Sequence, residues 1–235
     1  MSAPITIDAE PARWVVVGAG AGPLACTVAL NVAVAAASAG TPTLLRDLDG
    51  AAARALARVV AEDGVVALPW TTAPLRLRTP GGETSPPTPG TLVIVAAPRR
   101  LDAAVRVELE RAALVLVPMD ATAVARRALR EVAALLAALP APALLHAVLG
   151  RSLPRDADRW ALLEEIEALA PGALLSATLP TGRAAPGAAR ADAARLYAPG
   201  TAAAAAYAAV LVAVVGSLQA GRAGRDPARL TSTSP

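Results

Sequence analysis

Short runs of Val, Leu and Ile alternate with stretches of helical periodicity along almost the whole chain, and this alternation restricts the fold more than any other feature. A strand that is apolar on both faces needs helices on both faces. The pattern therefore predicts an α/β protein with three layers and a mostly parallel, doubly wound sheet. Strands are expected at Trp14 to Val17, Thr43 to Leu45, Thr91 to Val95, Leu114 to Val117, Leu144 to Leu149 and Ala173 to Leu179. Helices are expected from the glycine cluster after Val17 to about Ala39, from Ala51 to Ala61, from Asp102, from Thr122 to Leu139, from Asp156 to Leu169, and after Gly200. Gly40 is placed to close the first helix and Pro118 to stop the fourth strand.

At 235 residues the chain is long enough for one large domain, expected over residues 13–220. Residues 1–12 read as a flexible N-terminus and 221–235 as a polar, disordered tail. Residues 78–90 are too rich in Pro and Gly for regular structure and read as a surface loop. No internal repeat is visible. With no Phe, 2% aromatics and about a quarter alanine, the core must be filled by Val, Leu and Ala. All 22 basic side chains are arginine, and the chain has no lysine. That composition fits a nucleotide bias in the coding sequence, so the formal charge of +3 does not by itself indicate nucleic-acid binding. The single cysteine, Cys26, excludes an intramolecular disulfide framework, and the single histidine, His146, excludes a histidine-rich metal site. His146 lies in an apolar run and is expected as a packed core or edge residue. Met1 to Glu10 has no basic region leading into an apolar stretch, so the expected location is the cytoplasm.

The residues that bear on chemistry cluster after the strands. Gly18, Gly20 and Gly22 lie between the first strand and a helix that carries Cys26, Thr27 and Asn31. Asp47 and Asp49 follow the second strand, Ala96-Ala97-Pro98 the third, and Pro118 the fourth, while Tyr197-Ala198-Pro199-Gly200-Thr201 leads into an alanine-rich helix. In order and spacing this resembles the ParA/MinD family of deviant Walker ATPases, including its CobQ- and CpaE-related branches, over nearly the whole chain. The resemblance implies a deviant P-loop NTPase fold, Mg-ATP as cofactor, dimerisation, and a role in partitioning or positioning plasmids, chromosomes, septa or other cargo. It places nucleotide contacts at Gly18, Gly20, Gly22, Cys26, Thr27 and Asp49, and a magnesium contact at Thr27 and Asp47.

The departures from the family pattern fall where the chemistry would occur. Gly20 and Ala25 stand where the family's signature and phosphate-binding lysines belong, Leu24 replaces a loop glycine, and Pro23 has no backbone N–H to offer a phosphate. Ala96 replaces a metal-shell carboxylate and Gly150 an asparagine that reads the base. Carboxylates at Asp47 and Asp49 would repel phosphates that no lysine neutralises. The expectation is a vestigial site in a pseudo-ATPase that acts as scaffold or adaptor, as a homodimer or paired with an active homologue. The same residues also have a structural reading, in which the glycines serve a tight turn and the two aspartates cap the next helix.

Two further readings stay open. A partner subunit could supply the missing lysine and restore an active ParA-type ATPase. Alternatively, Val15-Val-Val-Gly-Ala-Gly20 is how a Rossmann-type, dinucleotide-binding oxidoreductase begins, although Pro23 stands where the third glycine belongs. The charge-free stretch from Thr201 to Gly221 approaches the length that spans a bilayer, but its many small residues favour burial in the core and at a dimer interface. Contact with a membrane or with non-specific DNA, aided by Arg222, Arg225 and Arg229, is the remaining partner class.

Overall fold

The computed structural model describes residues 12–18, 24–56, 60–61, 63–81, 86–98, 100–119, 122–141, 143–150, 156–179 and 199–223. In chain order the elements are β1 (Arg13–Val17), α1 (Leu24–Ser38), β2 (Thr43–Asp47), α2 (Ala51–Leu56), β3 (Leu75–Arg78), β4 (Leu92–Ala97), α3 (Ala103–Glu110), β5 (Leu114–Met119), α4 (Ala123–Ala137), β6 (Leu144–Gly150), α5 (Asp156–Leu169), β7 (Leu174–Leu179) and α6 (Ala202–Ala223). The strands form one seven-stranded sheet in the order β3-β2-β4-β1-β5-β6-β7, and every ladder in it is parallel.

Strand alternation divides the interior into two cores. Trp14, Val16, Leu45, Ile94 and Leu116 face α1, α2 and α6, while Val15, Val17, Leu44, Val95 and Val117 face α3, α4 and α5. This is the three-layer arrangement that strands apolar on both faces require. Leu30, Leu45, Ile94, Leu116 and Leu129 are among the largest fully buried side chains, which agrees with a core built from aliphatic residues.

Local chemistry sets the element ends. Gly40 takes φ 91° after α1, and the N–H of Thr41 bonds back to the carbonyl of Ala36, a left-handed helix ending that favours glycine. Asp102 caps α3 by accepting from the Val105 N–H, and Thr122 caps α4 by accepting from the Ala125 N–H.

Three expectations need correction. Pro118 does not stop its strand: β5 runs on to Met119 and stays paired with β6 there. The ladder to β1 has already ended at Leu116, so on that side Pro118 has no strand hydrogen bond to withhold. Residues 75–78, unassigned by periodicity, form the edge strand β3, in which Leu75 and Leu77 turn inward between the outward Arg76 and Arg78. The expected Pro/Gly loop begins only after it. At the other end α6 extends to Ala223, three residues into the segment read as tail.

The helix α6 buries one stripe in the core, and the rest of its surface is not covered within the single chain. It is long and apolar enough to cross a membrane by length and composition alone, yet only 22% of the Ala202–Ala220 window is buried. It packs along one stripe through Tyr207, Val210, Leu211 and Val214, while Val212 is 61% exposed on another side. The rest of its surface is alanine-rich and only partly covered.

Candidate functional site

The carboxyl ends of β1, β2 and β4 meet at one edge of the sheet, beside the first turn of α1. Val17 pairs with Ala97 and Asp47 with Ala96. The Gly18 N–H donates to the Ala97 carbonyl at 3.2 Å, and the Leu48 N–H donates to the Ala96 carbonyl at 3.1 Å. Parallel strands thus bring residues from three distant parts of the chain to the position where open α/β sheets bind ligands.

Asp47 is 1% exposed. Its Oδ2 accepts from the Ala53 N–H at 2.8 Å, and its Oδ1 is buried without a hydrogen-bond partner. Burial raises its pKa above the usual carboxyl value. The Ala53 N–H offsets part of this, and the nearby Asp49 carboxylate adds to it. Asp49 is exposed and accepts from the Ala51 N–H at 2.9 Å. Both aspartates therefore hold the first turn of α2, the structural role that the sequence also allowed.

Cys26 is buried, and its thiol is pushed up to about 12, first by burial and then by the negative charges of Asp47 and Asp49, with Arg54 acting the other way. A thiol so disfavoured as thiolate is a small packed side chain rather than a nucleophile. Thr27 is half-buried, and its carbonyl accepts from the Asn31 side-chain amide. Asn31 is fully buried, with its Oδ1 unpartnered, and stands beside the buried Tyr207 hydroxyl of α6. Gly20, Gly22 and Pro23 lie outside the described residues. Ala25 is buried in the α1 core, Ala96 is buried at the end of β4, and Gly150 ends β6 half-buried. Among the described residues no three His, Cys, Asp or Glu side chains are grouped to hold a metal ion.

Two arrangements escaped the sequence reading because their partners are far apart along the chain. His146 is buried, as expected, but it is also bonded at both ring nitrogens: Nδ1 to the Ala173 carbonyl at 3.1 Å and Nε2 to the Ser217 hydroxyl at 2.8 Å. A carbonyl only accepts, so Nδ1 carries the proton and Nε2 accepts from Ser217. The second is a groove of about 550 Å³ bordered by Arg13, Arg46, Arg78 and Arg111. The buried Glu108 of α3 forms ion pairs with both Arg13 and Arg46 there.

The strand order separates this sheet from one sequence alternative. A Rossmann half-sheet sets its first two strands side by side, whereas here β4 lies between β1 and β2. No family model and no curated protein sequence matches the chain. Solved structures do match its shape. The MinD cell division protein of Aquifex aeolicus superposes with a TM-score of 0.65 at 14% identity, covering 87% of this chain and 97% of that one. A ParA family ATPase from Chlorobium tepidum TLS superposes with a TM-score of 0.62 at 15% identity, covering 86% and 99%. Cobyrinic acid a,c-diamide synthase from Mycobacterium smegmatis, with a bound ATP analogue and magnesium, superposes with a TM-score of 0.61 at 16% identity, covering 90% and 97%. The seven-stranded parallel sheet and its flanking helices thus have the α/β fold of ParA/MinD-type P-loop NTPases.

Proposed function

We propose that this chain is a ParA/MinD-like partitioning or positioning protein whose nucleotide site has degenerated, and that it acts as a scaffold or adaptor through association with itself or with an active homologue. The observation that carries this reading is the combination of that fold with a chain that has no lysine at all; the resemblance puts Ala25, a buried alanine, where the family's phosphate-binding lysine is expected. Mg-ATP does not fit the residues at this edge. A triphosphate would meet the exposed Asp49 with no ammonium from the chain, the nearby Arg54 is engaged with the Asp49 carbonyl, and by the resemblance Ala96 stands where a carboxylate is expected after β4. Asp47 Oδ1 and Thr27 remain as magnesium contacts in type. Asp47, however, is committed through Oδ2 to α2, and burial disfavours its charged form.

The neighbours' partners suggest surfaces. One matched structure is a complex of MinC with MinD, and another is a ParA bound to non-specific DNA. By analogy the working face of this chain is the nucleotide-side edge, with α6 as a second exposed surface, in a cytoplasmic protein peripheral to nucleoid or membrane.

Calorimetry of the full chain with Mg-ATP, ADP and NADPH tests the reading, with oligomeric state recorded in the same samples. The expected result is no micromolar binding and an association state that nucleotide does not change. Micromolar ATP binding would restore an ATPase, and saturation only in a mixture with an active homologue would show that a partner supplies the missing cation.

A further inference from the structure

We draw no further inference here: the strongest candidate, the uncharged exposed face of α6 that carries Ala205, Ala209, Val212 and Gly216, is a stripe of mostly small side chains, and nothing in the structure shows what covers it.

Discussion

Asp47 combines the two things a site residue shows, a buried ionisable group and an unpartnered oxygen. Its raised pKa means that the folded chain holds the proton more tightly than the unfolded chain does. As pH rises through the ordinary carboxyl value of 3.8, the unfolded state releases its proton first, so stability falls with rising pH until the folded group has also ionised. Asp47→Asn keeps an oxygen to accept the Ala53 N–H and places an amide N–H toward Asp49. It is expected to raise the melting temperature at pH 7, with the gain shrinking as pH approaches 4. Thermal unfolding of both proteins across that range checks it, and an equal or lower melting temperature for the variant at pH 7 would refute it. The sequence placed both aspartates after the second strand and left site and cap as alternatives. The hydrogen bonds to Ala51 and Ala53 show the cap. What the residue order could not show was that Cys26 and Asp47, twenty-one positions apart, share one buried environment.

Among the elements, α3 is held by more than its apolar stripe. Val105 and Leu109 pack on the sheet, and Glu108 between them is 4% exposed and bonded to β1 and β2 at once. Truncating one member of a buried ion pair leaves the others uncompensated, which is more damaging than never having had the pair. Glu108→Ala is therefore expected to destabilise the chain by about 3 kcal/mol in denaturant unfolding, far more than an exposed glutamate such as Glu131 would. A change under about 0.5 kcal/mol would mean that the arginines are solvated without it. The helical pattern around residue 108 was legible, but its partners lie 62 and 95 residues away. The edge strand β3 was missed for a related reason. Its four alternating residues are too short a run to stand out, and pairing with β2 is what makes them a strand.

For the whole molecule, the contact between β6 and α6 joins the last helix to the sheet across 71 residues of sequence. Burial holds the His146 pKa below its ordinary value of 6.5, with the Ala173 carbonyl only partly opposing this. The unfolded chain takes up the proton first as pH falls, so the stability linked to neutral His146 is complete above about pH 6.5 and is lost as pH drops toward the folded value. Melting temperature is expected to fall between pH 7.5 and 5.5, and His146→Gln is expected to flatten that slope. An unchanged slope in the variant would show that other groups set the pH response.

The sequence by itself determined the α/β class, the boundaries of most strands and helices, and the absence of lysine from any phosphate loop. These follow from local periodicity and residue identity, which need no knowledge of contacts. Only the tertiary structure decided that β4 enters between β1 and β2, that Pro118 is tolerated within a strand, that α6 is covered along one stripe rather than all round, and that four arginines converge on one face. Each of these depends on which distant segments become neighbours. In a parallel sheet that is set by how helices pack across strands, an interaction between residues that no local pattern records.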